Sequence, residues 1–153
     1  MYCDIGDGIM TRILVDADAC PVKEIIVKVA KEYSFPVTMF IDTSHILNDG
    51  YSEVITVEKS RDSVDFALVN KIIQGDIVVT QDYGVATMAL AKGAKVVNQN
   101  GLIYTDENIE KLLFERHLSS KVRKSGGRAK GPRKRTKEDD EKFERAFRII
   151  LSQ

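Results

Sequence analysis

The sequence predicts an α/β fold, a three-layer sandwich around a mainly parallel five-stranded sheet, completed by a C-terminal helix. Two observations predict it. Short apolar runs alternate with segments whose apolar residues recur at helical spacing, and that alternation is the pattern of a parallel sheet covered by helices. The chain also has 153 residues, 43% hydrophobic and 30% charged, which suits one domain with a sizeable core.

Residues 1–11 carry two glycines and two aspartates without periodicity and are expected to be a disordered extension. The α/β domain is expected over 12–118. Arg12 to Val15 reads as the first strand. Pro21 suits a first helical turn, and Val22, Ile25, Ile26 and Val29 then repeat at 3.6-residue spacing. Val37–Ile41 and Glu53–Val57 read as the second and third strands, separated by the turn Asn48-Asp49-Gly50. Asp62–Gln74 reads as a helix stopped by Gly75, apolar around most of its surface and so expected to be well buried. Asp76–Thr80 is a fourth strand and Tyr83–Lys92 a short helix ended by Gly93. Lys95–Val97 is a fifth strand, and Asp106–His117 a helix with Ile109, Leu112 and Leu113 on one face. Residues 119–136 read as a basic linker. Thr136 with Asp139 resembles a capping box. Phe143, Ala146, Phe147, Ile150 and Leu151 then form one apolar stripe, so the helix over 137–153 is expected to dock on the domain.

Net charge is zero, but nine cations and no acid lie between Lys121 and Lys137, which leaves 14 cations against 23 acids elsewhere. Such a block reads as a solvated interaction segment. Apolar runs stay far short of the roughly 20 residues needed to span a bilayer, so no membrane association is expected. The N-terminus lacks a basic region followed by an apolar stretch, so no secretion signal is read. Cys3 and Cys20 make no disulfide framework, and a reduced, cytoplasmic setting is the expectation.

Carboxylates gather where parallel-sheet proteins bind ligands, beyond the carboxyl ends of the strands. Asp16 and Asp18 close the first strand, Asp82 follows the fourth, and Asp62 and Asp65 open the helix after the third. With strand order 3-2-1-4-5, the first and fourth strands are neighbours about 4.8 Å apart at the switch point. Asp16 and Asp82 could then share one ion. Crowded carboxylates repel unless some protonate or a cation joins them, and hard oxygen ligands suit Mg²⁺ or Mn²⁺. Taken singly, Asp18, Asp62 and Asp82 are equally explained as helix caps.

Four segments resemble the YaiI/YqxD family of bacterial proteins: Ile-Leu-Val-Asp-Ala-Asp-Ala-Cys-Pro-Val-Lys (13–23), Ser-Arg-Asp-Ser-Val-Asp (60–65), Val-Thr-Gln-Asp-Tyr-Gly (79–84) and Ser-Gly-Gly-Arg (125–128). That family resembles PIN-like nuclease domains. The resemblance implies a PIN-like fold in which Asp16, Asp65 and Asp82 hold Mg²⁺ or Mn²⁺ for phosphodiester hydrolysis, with Asp18 and Asp62 as helpers. A further acid implied after the last strand is replaced by Asn98-Gln99-Asn100, where Asn98 offers an amide oxygen.

Lys23 and Arg61 flank the acidic motifs, either to hold phosphate or to pair with the aspartates. The linker cations Arg128, Lys130, Arg133, Lys134 and Arg135 fit the phosphates of a nucleic acid, expected to be RNA, or form a solvated tether. Cys20 is weighed as a nucleophile against a small buried thiol. His45 and His117 are too far apart in sequence to suggest zinc. Tyr83 is weighed as a stacking group against packing under its helix, and Gly84 as a point of close approach.

Three functions remain open from the sequence. The first is a metal-dependent nuclease. The second is a haloacid-dehalogenase-like phosphatase or phosphotransferase in which Asp16 attacks phosphorus, although Cys20 stands where Thr or Val is expected. The third is a non-catalytic nucleic-acid-binding module.

Overall fold

Strand β1 (Ile13–Asp16) lies inside a sheet whose other members are β2 (Val37–Asp42), β3 (Glu53–Val57), β4 (Ile77–Val79), β5 (Lys95–Val97) and β6 (Ile103–Tyr104). The helices are α1 (Lys23–Tyr33), α2 (Ser63–Lys71), α3 (Tyr83–Ala91), α4 (Asp106–Lys124) and α5 (Lys137–Ser152). This computed structural model describes residues 11–124, 126 and 133–153. The predicted extension up to Met10, and the linker cations Arg128 and Lys130, lie outside the described residues.

Strand order is β3-β2-β1-β4-β5-β6. The first four pairings are parallel, with Ile13 level with both Val37 and Ile77, and β6 runs antiparallel to β5. The expected five-stranded sheet is thus a six-stranded mixed one. Strand β6 has two residues, too few to show any periodicity. It forms because Asn98 builds the turn before it. The Asn98 side-chain oxygen accepts the Asn100 and Leu102 N–H groups, both at 2.9 Å, and Gly101 takes φ +89°, which favours glycine.

The chain moves outward from β1 to β3, then returns to β4. Right-handed crossovers in opposite directions place their helices on opposite faces. Helix α1 therefore covers the face of Ile13, Val15, Met39 and Val79, and α5 joins it there. Helices α2, α3 and α4 cover the face of Leu14, Phe40, Val78 and Val96. Residues 13 to 15 alternate between the two cores, as the period of two requires.

Several boundaries differ from expectation. Pro21 and Val22 form a turn ahead of α1, which starts at Lys23. Helix α2 ends at Lys71, because Ile72 turns extended at ψ 132°. It is buried along one side only: Val64 and Leu68 are inside, while Phe66 is 66% exposed. Helix α4 continues to Lys124, so residues 119–124, read as linker, are helical. No Gly or Pro interrupts them, and Lys121, Arg123 and Lys124 sit at the helix C-terminus, where its dipole favours cations.

At the amino edge of the sheet, buried Asp76 accepts from Arg12 Nε at 3.0 Å and Nη2 at 2.7 Å, and from the Ile73 N–H at 2.8 Å. That acid is fully compensated.

Helix α5 docks through Phe143 and Phe147, both fully buried, with ring centroids 5.2 Å apart. Lys28 with Glu144, and Arg148 with Glu32, rim the contact with α1. The expected capping box is present: Thr136 Oγ1 accepts the Asp139 N–H, and Asp139 accepts the Thr136 N–H at 2.9 Å. Thr136→Ala should cost about 1 kcal/mol, read as a lower urea midpoint at unchanged slope. An unmoved midpoint would show that the box does not hold this helix end.

Candidate functional site

Asp16 is the last residue of β1, and Asp82 stands just past β4, the adjacent strand. The chain turns away from the sheet here because Thr80 and Asp82 organise it. The Asp82 N–H donates to Thr80 Oγ1 at 3.0 Å, and Asp82 Oδ1 accepts the Val85 N–H at 3.0 Å as the N-cap of α3. Gly84 makes room for that cap, since a Cβ on it would lie 3.1 Å from Asp82 Oδ1. Asp82 is therefore a cap, as one sequence reading had it. It also faces Asp65, from the first turn of α2, across the groove that both line, closely enough to repel that carboxylate.

Asp16, Asp65 and Asp82 thus meet at the switch point. Asp16 accepts the Thr80 hydroxyl at 3.1 Å. Burial, then repulsion from Asp65, raises its pKa to about 6; Asp82 and Asp18 add smaller repulsions, and the Thr80 bond offsets part of the rise. Asp65 is also raised to about 6, by burial first and then by Asp82 and Asp62. Asp76 is buried beside an arginine. Among the described residues, by contrast, no lysine or arginine pairs with Asp16, Asp65 or Asp82.

Asp18 points elsewhere. Its Oδ1 lies 2.9 Å from His45 Nδ1, which is also 3.2 Å from Asp42 Oδ1. Ligand-type atoms of Asp18, Asp42 and His45 all lie within 4.8 Å of one another. Sequence reasoning missed Asp42 and set His45 aside as a metal ligand. The parallel register was the available signal: Asp16 is level with Phe40, so Asp18 comes level with Asp42. Asp62 adopts φ 63° at the N-cap of α2, makes no side-chain cap bond and is 55% exposed, 3.9 Å from Arg61.

Lys23 Nζ reaches the Ala17 carbonyl at 3.4 Å, and the Arg61 side chain is almost wholly exposed. Arg133 grips Asp139 through two nitrogens, at 3.0 and 2.6 Å. Arg135 holds Asp140, Asn100 and the Gln99 carbonyl at 2.7, 2.7 and 2.8 Å. Two linker cations thus serve the chain's own packing, while Lys134 is exposed. Cys20 is buried, and desolvation raises its pKa, which disfavours the thiolate a nucleophile needs. Asn98 Oδ1 is occupied by its turn. His117 is exposed on α4.

Clefts lie on either side of α3, and one of them is lined by the carboxylates. A groove of about 450 Å³ between α2 and α3 is lined by Asp65, Phe66, Asn70, Asp82 and Met88 among others. A second, of about 400 Å³, lies between the start of α3 and the middle of α4.

Fold and site together define a doubly wound α/β domain with an acidic cluster at its topological switch point. The chain belongs to the YaiI/YqxD family: residues 14–153 match the model described as "Uncharacterized BCR, YaiI/YqxD family". It is similar to the UPF0178 protein of Ruminiclostridium cellulolyticum, 67% identical over 140 residues covering 92% of each chain. A UPF0178 protein of Clostridium acetobutylicum is 53% identical over 142 residues, covering 92% of this chain and 96% of its own. One from Exiguobacterium sibiricum is 44% identical over 142 residues, covering 93% and 97%. No solved structure matches the chain. Among the described residues, no helix is long and apolar enough to cross a membrane.

Proposed function

We propose that this protein is a metal-dependent nuclease that hydrolyses RNA in the cytoplasm, with Mg²⁺ or Mn²⁺ held by Asp16, Asp65 and Asp82. The observation that carries this reading is the meeting of three carboxylates from three elements without a compensating cation among the described residues. The donor set fits the ion: hard carboxylate oxygens suit Mg²⁺ and Mn²⁺. Two of the three carboxyls are raised to about 6, so near neutral pH a divalent cation competes with a weakly held proton. Once bound, the ion would supply Lewis acidity and charge neutralisation at the phosphate. The chain supplies rigidity. Asp82 is pinned by its cap and Asp16 by Thr80, so the carboxylates are positioned before substrate arrives. Asp18, with Asp42 and His45, forms an outer group beside Asp16, and Asp62 flanks Asp65. Resemblance to PIN-like nucleases points the same way.

The test is single-turnover cleavage of an unstructured RNA by the full chain. Cleavage is expected with Mn²⁺, none with chelator, and a loss of at least about a hundredfold in Asp82→Asn, the scale of several kcal/mol of charge stabilisation. Cleavage that survives chelator, or wild-type protein inert with both Mg²⁺ and Mn²⁺, would overturn the reading.

A further inference from the structure

The cleft between α3 and α4 combines Gln81 and Tyr83, on either side of Asp82, with Glu115, Arg116, Ser119 and Arg123 of α4. Residues 116, 119 and 123 are spaced to share one helix face. Arg116 lies over the Tyr83 ring, its guanidinium carbon 5.8 Å from the centroid. This cation–π contact steadies the guanidinium and leaves N–H groups free to donate. Arg123 is two turns further on, about 10 Å along the helix axis. Neither arginine pairs with a carboxylate among the described residues, and the lining holds one acid, Glu115, against two guanidinium groups.

We propose that this face of α4 binds the phosphodiester backbone of an RNA strand, with Arg116 and Arg123 on two different phosphates and Ser119, Gln81 and the Tyr83 hydroxyl as neutral donors. This rests on the nuclease reading for the class of ligand. The alternatives on the same edge are less suited. The α2–α3 groove has no lysine or arginine among the described residues of its lining, so a polyanion finds no positive charge from them there. The lysine cluster of α1 shares its pocket with Glu24 and Asp49, and Lys28 is bonded to Glu144. Arg133 and Arg135 are held by Asp139 and Asp140. The α3–α4 cleft therefore supplies two guanidinium groups without a carboxylate partner among the described residues, next to Gln81 and Tyr83, the chain neighbours of Asp82.

The experiment is a fluorescence-anisotropy titration of the full chain with a short labelled oligouridylate, in chelator, over a range of salt concentrations. Each phosphate contact on a single strand adds roughly 0.7 to the slope of log affinity against log salt, so Arg116→Gln with Arg123→Gln should lower that slope by about 1.4. Arg116→Lys with Arg123→Lys should restore most of it. Lys71→Gln with Lys95→Gln, which removes two charges from the opposite edge of the sheet, should leave it unchanged. Thermal melts of each variant establish that it is folded. The proposal is overturned by an unchanged slope in the arginine variant, by an equal fall in the lysine control, or by wild-type protein that binds no oligouridylate. Chelator makes this independent of catalysis: a protein that never cleaves but shows the slope change loses the nuclease reading and keeps this surface.

Discussion

Asp16→Asn is expected to lower RNA cleavage at least about a hundredfold while raising the melting temperature at pH 7.5. The opposition follows from the environment of Asp16. Burial and neighbouring carboxylates raise its pKa to about 6, above the unfolded value of roughly 3.9. The folded state therefore binds this proton more tightly than the unfolded chain. Stability should fall as pH rises through the window from about 4 to about 6, and the full penalty is present above it. Two pKa units correspond to about 3 kcal/mol; discounted for solvent screening at a partly exposed group, about 1 to 2 kcal/mol remains. Asparagine keeps the acceptor for Thr80 and removes the charge. At pH 7.5 the variant should melt higher by about 2 to 6 °C, and at pH 4 the two proteins should melt together. Mn²⁺ should raise the wild-type midpoint, by about 2.7 kcal/mol of stability at a free concentration one hundred times its Kd. The asparagine variant should respond far less. Calorimetry across pH, with and without Mn²⁺, checks all of this. A variant that melts lower at pH 7.5, beside a wild type indifferent to Mn²⁺, would remove the case for a cation at Asp16.

Phe147→Ala is expected to have the largest effect on stability. Phe147 is fully buried, stacked on Phe143, where α5 meets α1 and the sheet. Truncation leaves a cavity bounded by the strand residues of the first core, which the backbone ladder holds in place. The cost should be about 3 to 5 kcal/mol, or roughly 10 °C in melting temperature for a chain of this size. Equilibrium unfolding in urea measures it directly. A loss below about 1 kcal/mol would show that α5 contributes little to the core. Ion pairs at the rim of this helix, such as Arg148 with Glu32, should matter much less, because exposed pairs contribute about 0 to 1 kcal/mol.

The parallel core of the sheet was legible because its strands are apolar and separated by helical periodicity, and order 3-2-1-4-5 survives intact within the observed sheet. Strand β6 was not legible, since two residues carry no pattern and the turn that creates it depends on Asn98. The end of α4 was misplaced because a run of cations was read as linker, although cations at a helix C-terminus are favourable. Asp16, Asp65 and Asp82 were legible as carboxylates at one sheet edge. Asp42 and His45 were not, because their nearness to Asp18 depends on the register between β1 and β2. Arg116 was passed over because it lies outside the basic block, while Arg133 and Arg135 drew attention that their ion pairs with α5 now explain.

The sequence alone determined which residues are apolar, where the backbone must turn, and that acids stand at the ends of strands. Such information is local, and side-chain periodicity with capping chemistry is enough to read it. Only the tertiary structure decided which acids are compensated. Arg12 and Asp76 are 64 residues apart and touch, while Asp16 meets Asp65 and Asp82 without a cation among the described residues. Coulomb energy depends on separation in space and on the surrounding dielectric, and neither quantity exists until the crossovers have brought β1, α2 and β4 together.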